Sequence, residues 1–350
     1  LADAENLEAT IVATVTDAGR LQMDWRGTRI VDLDRAFLDT NGVQSHSVAH
    51  VAAPVEACVF DEQTTVSTDS LEAVWLQKLG ELNSCSQRGL VERFDSTVGA
   101  ASVLMPFGGR RQLSPQEGMV AKLPVGARET DAATAMACGY HPRIACWSPF
   151  HGAAYAVLES AARIVALGGD FSRIRLSFQE YFEKLGDQPE KWGKPLAALL
   201  GAYWMQKGLG IAAIGGKDSM SGTFMDLTVP PTLISFAVAP VSAASTVSAE
   251  FKQAGSKLIL LSAACDGQGI PDFAELAARW QTVSALTAGK RILAAGVIRE
   301  GGLAVTLSRM SFGNGIGVCL DDSFAADPAA LFAWNPGALL LETADEAAVS

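Results

Sequence analysis

The stretch "IAAIGGKDSMSGTF", residues 211–224, is the most informative part of the sequence. It places two adjacent glycines, a lysine, an aspartate and three hydroxyl side chains after an apolar approach. Glycines let a ligand come close to the backbone, consecutive N–H groups can surround an anion, and Lys217 adds positive charge. The residues therefore indicate an anion-binding turn, although the spacing is equally compatible with an ordinary glycine-rich turn between two strands.

The stretch is not a Walker A phosphate-binding loop. That motif needs a glycine at position 211 and a hydroxyl residue after the lysine, where the sequence has Ile211 and Asp218. A P-loop also opens a helix, whereas residues 220–231 carry Gly and Thr and end in Val-Pro-Pro. Asp218 could bind magnesium, which prefers oxygen ligands. The groups expected to contact a phosphate are the backbone N–H groups of Gly215, Gly216 and Asp218 and the hydroxyls of Ser219 and Ser221.

The composition describes a compact globular chain. It has 350 residues, of which 49% are hydrophobic and 19% charged, so there is room for two or three domains. The net charge of −11 and a pI near 4.9 argue against nucleic acid or an anionic membrane surface as the main partner. No uninterrupted apolar run reaches about 18 residues. The six cysteines form no C-x-x-C pair, which predicts reduced thiols in the cytoplasm.

The hydrophobic pattern predicts an α/β (α+β) fold, with residues 242–251 as a small-residue linker between two lobes. The predicted strands are 6–34 with two internal turns, 172–177, 256–263, 291–298 and 315–320. The predicted helices are one from Asp69, 34–38, 152–167 with a glycine C-cap, 178–195 with a break, 195–207, 272–288 and 302–311.

Polar residues at predicted element ends are further candidates. Gln179 and Glu180 follow a predicted strand, where open sheets place ligand groups, but an exposed helix start is the favoured alternative. His141 and His151 could act as general bases, although loop histidines that cap a helix are more common. His151 lies at a predicted helix start, where a positive charge is unfavourable, so it is expected to be neutral.

Glu159 and Arg163 stand four residues apart on the predicted helix 152–167. This spacing usually marks a helix-stabilising pair. Because the helix is apolar, the pair is expected to be partly buried, where it could also orient a ligand.

Three segments, residues 146–186, 192–224 and 229–241, closely resemble the synthetase portion of phosphoribosylformylglycinamidine synthase in its large single-chain form. They are most similar to the second of its two internal repeats of the aminoimidazole-ribonucleotide-synthetase type. Residues 6–43 resemble the tail of the first repeat, so the chain looks like an excerpt of a longer polypeptide.

The resemblance implies a sheet lobe followed by a layered α/β lobe. The implied domains are residues 1–44, the tail of the preceding repeat; 45–96, a connecting segment with a helix; 97–241, the N-terminal lobe; and 250–350, a truncated C-terminal lobe.

The resemblance also implies a reaction. ATP, with Mg²⁺, activates the amide oxygen of formylglycinamide ribonucleotide, and ammonia derived from glutamine displaces phosphate to give the amidine. The implied partners are the first synthetase repeat and a glutaminase domain of the same polypeptide. The active site would form between the repeats, so this stretch alone is expected to be inactive.

The resemblance assigns roles to residues of the glycine stretch and its neighbours. The family's matching loop has an asparagine where Lys217 stands, so Lys217 is expected to neutralise a phosphate and Asp218 to hold the metal. The implied site residues are Gly215, Gly216, Lys217 and Gln179 for the nucleotide, Ser219 and Ser221 for the ribonucleotide substrate, and Asp218 and Glu159 for magnesium.

One part of the sequence departs from the family pattern. Nucleotide-binding repeats of this type tend to carry a D-x-S-D-G-G stretch, which is matched here by "GVIREGG", residues 296–302. The family's auxiliary nucleotide site uses a Glu and an Asn where this chain has Glu159 and Arg163. The two differences predict a degenerate auxiliary site in which Arg163 or Arg299 replaces the charge of the missing cation.

Two kinds of alternative remain open at this point. The chain could belong to another ATP-using enzyme of the superfamily, such as aminoimidazole ribonucleotide synthetase, selenophosphate synthetase or thiamine-monophosphate kinase, but none of these fits "GGKDSMSGTF" as well. It could also be a structural repeat that serves as a scaffold for the catalytically active repeat. The departure at residues 296–302 favours this scaffold, and the intact glycine stretch opposes it.

Overall fold

A computed structural model describes residues 1–40, 46–54, 66–94, 101–126, 128–321, 324 and 327–344. The chain divides into two compact units, residues 1–48 and residues 49–350. The described residues do not include the expected domain limits at 44/45 and 96/97. They also do not include Cys58 or the residues after 344. The other five cysteines are free thiols. Among the described residues, the helices fall short of the length and apolarity needed to cross a bilayer.

The first unit is a β-hairpin followed by a short helix. β1 (Arg20–Trp25) and β2 (Thr28–Asp34) pair antiparallel, and α1 (Arg35–Thr40) follows directly. Both residues of the intervening turn have positive φ, as tight hairpins require. Residues 6–19 are exposed and form no strand, so the strand predicted over that part of residues 6–34 was wrong.

The second unit contains a large mixed sheet, a smaller sheet and short paired strands, with helices packed against the sheets. Its strands are β3 (Phe107–Gly108), β4 (Ser114–Pro115), β5 (Met119–Lys122), β6 (Ala132–Gly139), β7 (Arg175–Tyr181), β8 (Ala212–Lys217), β9 (Thr223–Phe224), β10 (Leu227–Thr228), β11 (Thr232–Ser242), β12 (Lys257–Leu261), β13 (Ala294–Val297) and β14 (Leu339–Thr343). Its helices are α2 (Leu71–Gly80), α3 (Arg88–Val91), α4 (Pro142–Trp147), α5 (Pro149–Ala166), α6 (Pro189–Leu209), α7 (Phe273–Ala288) and α8 (Gly302–Phe312).

The large sheet has the strand order β5-β6-β11-β7-β8, in which only β7 and β8 are parallel neighbours. Buried and partly exposed residues alternate along β6 and β11, as expected for strands with one covered face. Helix α5 packs against β6 and β11, and α6 packs against α5. The opposite face of the sheet remains partly exposed and carries apolar side chains, including Met119, Met136 and Phe236.

Local capping decides where several helices begin. The Ser148 side chain accepts a hydrogen bond from the backbone N–H of His151, so α5 begins three residues before the predicted Gly152. Asp272 caps α7 with its side chain, at the predicted position. The predicted cap of α2, Asp69, was wrong because it lies within a preceding 3-10 turn.

The segment after Ser177 continues as a strand, although its sequence predicts a helix from Phe178. β7 extends to Tyr181 because it pairs on one side with β11 and on the other with β8. A helix does follow, but α6 begins only at Pro189, which occupies its first turn.

The C-terminal part of the second unit is a small sheet in the order β12-β14-β13, with α7 and α8. The predicted strands 256–263 and 291–298 and the helices 272–288 and 302–311 are confirmed to within a few residues. The strand predicted at residues 315–320 was wrong, since those residues form no strand. The central position is taken by β14, which is buried along its whole length.

The contact of α5 with α6 depends on Gly201. A Cβ atom at this position would lie 2.0 Å from the backbone oxygen of Phe150. We expect Gly201→Ala to lower the free energy of unfolding by about 1–3 kcal/mol, because the helices would have to move apart. Urea unfolding of wild type and variant measures this change.

The matched control is Gly80→Ala, at the end of α2, where an added Cβ meets no atom within 4 Å. This variant should be neutral or slightly stabilising, since alanine favours helix. A Gly201→Ala protein as stable as Gly80→Ala would contradict the proposed close packing.

Candidate functional site

The structure brings Gln179 next to the glycine stretch at one edge of the large sheet. The register of the parallel strands β7 and β8 pairs Gln179 with Lys217. Parallel neighbours end at the same edge of a sheet, where ligands commonly bind. We call residues 177–180 and 214–222 the β7–β8 site. An open depression of about 470 Å³ is lined by residues 177–179 and 214–217 of this site and by Phe236, and not by residues 218–222.

The two glycines form the end of an edge strand rather than a turn. The register slips between the pairs Leu176–Ala213 and Phe178–Gly216, so β8 carries an extra residue there. Gly215 has φ +144°, a conformation that side chains rarely adopt. The anion-binding role expected of these glycines remains a prediction.

The loop after β8 is held against the end of β7 by backbone hydrogen bonds. The N–H of Ser219 donates to the carbonyl of Glu180 at 3.0 Å, and the N–H of Phe182 donates to the carbonyl of Ser219 at 2.9 Å. The hydroxyl oxygens of Ser219 and Ser221 lie 3.2 Å apart. The loop therefore presents two neighbouring hydroxyls from an anchored backbone.

The side chains beside these hydroxyls have different surroundings. The Gln179 amide nitrogen donates to the carbonyl of Lys217 at 3.0 Å, which joins the two strand ends. The Lys217 ammonium lies 5.7 Å from the centre of the Tyr181 ring, in cation–π contact. Asp218 is exposed. The predicted nucleotide, substrate and metal roles of these residues remain predictions.

Glu180 is a buried strand residue, not the exposed helix start that its sequence favoured. Burial, and to a lesser extent the negative charge of Asp218, raises the pKa of Glu180 to about 7. A carboxyl group with this pKa changes its protonation state near neutral pH. Its backbone carbonyl accepts the hydrogen bond from Ser219 that anchors the loop.

Two carboxylates and two guanidinium groups form a second cluster, between α5 and the segment that follows β13. The Arg163 Nε atom lies 3.4 Å from Glu117 and its Nη1 atom lies 3.6 Å from Glu159. Arg299 lies 3.6 Å from Glu117 and 3.8 Å from Glu159. We call these four residues the arginine–glutamate cluster.

The cluster is largely buried, which shapes its electrostatics. Burial raises the pKa of Glu159, although both arginines oppose the shift. Burial lowers the pKa of Arg299, but Glu117 and Glu159 outweigh it, so the net shift is upward. The expected partial burial of the Glu159–Arg163 pair is confirmed, and Arg299 also contacts Glu159. The predicted replacement of a cation's charge by Arg163 or Arg299 remains a prediction.

Sequence reasoning missed Glu117 altogether. Besides its two arginine contacts, this residue accepts a hydrogen bond from the N–H of Val297 at 3.0 Å. It therefore joins the large sheet lobe to the small one. The only local signal was an acidic residue in the otherwise weakly charged segment "SPQEGMV", residues 114–120.

The two candidate histidines have structural contacts. His141 caps α4 by accepting from the N–H of Ile144 at its Nδ1 atom, and its Nε2 atom lies 3.3 Å from Glu300. The hydrogen bond from His141 is the main reason that the pKa of Glu300 falls to about 2. Burial lowers the pKa of His151, which supports its expected neutral form.

The described residues of this chain do not form a complete magnesium site. No group of three or more His, Cys, Asp or Glu side chains there is arranged to hold a metal ion. Glu159, one predicted ligand, faces two arginines at 3.6 and 3.8 Å. Asp218, the other, would need further oxygen ligands.

The pKa of Glu180 predicts a pH-dependent stability. Between the ordinary pKa of 4.5 and the folded value of about 7, the folded chain keeps a proton that the unfolded chain releases. The free energy of unfolding should therefore fall as pH rises through this window and level off above it. Urea unfolding at several pH values, compared with Glu180→Gln, should show this slope in wild type and a weaker one in the variant.

Glu183→Gln is the matched control. Its hydrogen bond with Lys194 lowers the pKa of Glu183, so its stabilising contribution is lost only as pH falls below 4.5. The difference between wild type and this variant should stay flat from pH 5 to 8. An equally flat difference for Glu180→Gln would show that Glu180 ionises normally.

The sequence of this chain is similar to those of curated proteins from several organisms. No protein-family model matches the chain. The chain is 22% identical to the phosphoribosylformylglycinamidine synthase subunit PurL of Thermoplasma volcanium, over 92% of its own length and 43% of that protein's. It is 26% identical to the same subunit of Nocardioides sp., over 98% of its own length and 46% of that protein's.

Solved structures give the same result for the fold. Thermotoga maritima PurL complexed with ATP matches 94% of this chain and 46% of its own, with a TM-score of 0.58 and 15% identity. The same protein complexed with FGAR has a TM-score of 0.58, and the PurLQS structure from Thermotoga maritima has 0.59. The chain thus spans less than half of the relatives it matches, and it shares the mixed α/β fold of PurL structures.

Proposed function

We propose that this chain is one half of an ATP-dependent synthetase that amidates formylglycinamide ribonucleotide to the amidine with glutamine-derived ammonia, in purine biosynthesis. The observation that carries the proposal is the β7–β8 site. It presents the hydroxyls of Ser219 and Ser221, 3.2 Å apart, in the loop that follows Lys217 at the end of β8. The similarity to PurL proteins supports the reaction class.

In this proposal the residues of the site bind and orient anionic substrates. Ser219 and Ser221 donate hydrogen bonds to the ribonucleotide, and Lys217 neutralises a phosphate of ATP. Gly215 and Gly216 allow close approach of the nucleotide, and Gln179 holds the two strand ends together. Phosphoryl transfer depends mainly on positioning and charge, so residues of these types suffice for this half of the site.

Magnesium accompanies ATP in the proposed reaction, with Asp218 as one ligand. The remaining oxygen ligands would come from the nucleotide or from outside this chain, because the described residues form no complete centre. The predicted ligand role of Glu159 is less well supported, since two guanidinium groups already face its carboxylate.

The proposed partners are a first synthetase repeat and a glutaminase domain of the same polypeptide, in the cytoplasm. The uncovered face of the large sheet supports a sheet partner, since Met119, Met136 and Ile214 are exposed by 46%, 41% and 80%. The chain alone is expected to be inactive.

The second candidate is a structural repeat that supports the working half. The arginine–glutamate cluster favours this alternative, because guanidinium groups stand where the resemblance expects a cation. Under this alternative the β7–β8 site takes no part in turnover.

Ammonia-dependent ADP release by the full-length polypeptide, with formylglycinamide ribonucleotide and ATP, tests the proposal. Ser219→Ala should lower kcat/KM about tenfold to hundredfold, the usual loss when a hydrogen bond to a charged group is removed. Ser245→Ala, whose hydroxyl bonds to the backbone of Ser242 away from the site, is the control. Unchanged kcat and KM in folded Ser219→Ala would favour the structural repeat.

A further inference from the structure

Helix α6 carries large apolar side chains on its outer side as well as on the side that packs against α5. The inner side is buried and includes Ala198, Ala202 and Met205. The outer side carries five large side chains that keep between 37% and 59% of their surface exposed: Leu196, Leu199, Leu200, Tyr203 and Trp204. We call these five residues the α6 surface. A helix that is apolar all round is normally covered on all sides, so the α6 surface indicates a contact with another molecule or segment.

The α6 surface has the spacing of a seam between two helices. Its members recur every three or four residues from Leu196 to Trp204, which keeps them on one face of the helix. The centre of the Trp204 ring lies 5.7 Å from that of Phe150 and 5.1 Å from that of Phe273. These ring contacts hold one edge of the surface in place, so the surface is already formed before a partner binds.

The surface is bounded at both ends. At its start, the N–H of His50 donates to the carbonyl of Pro189 at 2.9 Å, and the His50 carbonyl lies against Gly193. At its other end, the Lys207 ammonium lies 5.8 Å from the centre of the Tyr203 ring. The open part between these limits is about two and a half helical turns long. It therefore suits one short helix rather than a broad, flat partner.

The charges beside the α6 surface differ between its two ends. Glu190 is the acidic residue of the first turn of α6, and Lys207 is the basic residue of the last turn. Positions 191–217 contain no acidic residue. The Glu190 side chain is 73% exposed, so it can take a second partner besides His50. A partner helix with a basic last turn and an acidic first turn would complement both ends if it ran antiparallel to α6.

A second copy of α6 has these properties. A two-fold rotation about an axis near Leu200 brings the apolar surface against itself and turns Lys207 of each copy toward Glu190 of the other. The helix dipoles then run antiparallel, which is favourable. The net charge of −11 opposes association of two copies, but charges more than about 8 Å apart are largely screened at physiological salt. Since positions 191–217 supply no negative charge, this repulsion is weak at the contact itself.

We propose that the α6 surface is a self-association site, at which a second copy of this chain docks its own α6 in antiparallel orientation. Five side chains are fewer than the roughly 20–30 residues that each side of a standard interface contributes, so the dimer is weak. Its expected dissociation constant is on the order of 10 μM. This inference is independent of the proposed function, because the α6 surface and the β7–β8 site share no residue.

Sedimentation velocity of the full-length polypeptide, from about 1 to 100 μM, tests the proposal. Wild type should change from monomer to dimer across this range. Leu200→Glu should raise the dissociation constant about hundredfold and stay monomeric, because it places two carboxylates at the centre of the apolar contact. Leu76→Glu is the matched control. Leu76 is 62% exposed and lies on α2, so this variant should associate as wild type does.

An exchange of charges tests the orientation and the identity of the partner together. Lys207→Glu and Glu190→Lys should each weaken association about tenfold, since each replaces two attractive pairs of the dimer by two repulsive ones. The double variant should restore association, because both pairs form again with reversed signs. Far-UV circular dichroism verifies that each variant is folded. If Leu200→Glu does not fold, the charge exchange decides alone.

Three results would overturn the proposal. One is a wild-type polypeptide that stays monomeric at about 100 μM. Slow maleimide labelling of the added thiol in monomeric Tyr203→Cys would then show that another part of the same polypeptide covers the α6 surface. Another is equal association of wild type and folded Leu200→Glu, which would place the contact elsewhere. The third is a double charge variant that associates no better than the single ones, which would exclude antiparallel pairing of two α6 helices.

Discussion

The parallel pairing of β7 with β8 is the contact on which the β7–β8 site depends. The chain leaves β7, forms α6 and returns as a neighbouring strand, so both strands end at the same edge. Helix α6 can complete this crossover only because it packs closely on α5, with Gly201 against the backbone of Phe150. The position of the hydroxyls at Ser219 and Ser221 thus follows from helix packing on the far side of the sheet.

The arginine–glutamate cluster joins the two lobes of the second unit. Glu117 precedes β5 of the large sheet, Arg163 lies on α5, and Arg299 follows β13 of the small sheet. Buried ion pairs add little net stability compared with apolar packing, but breaking one is costly because a buried charge is left behind. The cluster therefore links the lobes by ion pairs and by the hydrogen bond from Val297 to Glu117, and it lies where the resemblance expects a metal-assisted nucleotide site.

Sequence reasoning succeeded where the decisive interactions are local and failed where they are distant. Helix α5 and the start of α7 follow from apolar spacing and from side chains a few residues away, so they were predicted closely. The strand character of Phe178–Tyr181 depends on β11, more than fifty residues later, and no local pattern carries that information. The same holds for Glu117, whose partners Arg163 and Val297 are close only in the folded chain.

The β7–β8 site can hold an anion only weakly by itself. Lys217 and the glycines of the β7–β8 site are exposed, and a unit charge pair 4 Å apart in water is worth only about 1 kcal/mol. The same pair in a partly desolvated place is worth several times more. The β7–β8 site acquires such an environment only if another surface covers the exposed sheet face. A synthetase site formed between two repeats meets this requirement, because the second sheet would exclude water from the bound phosphates.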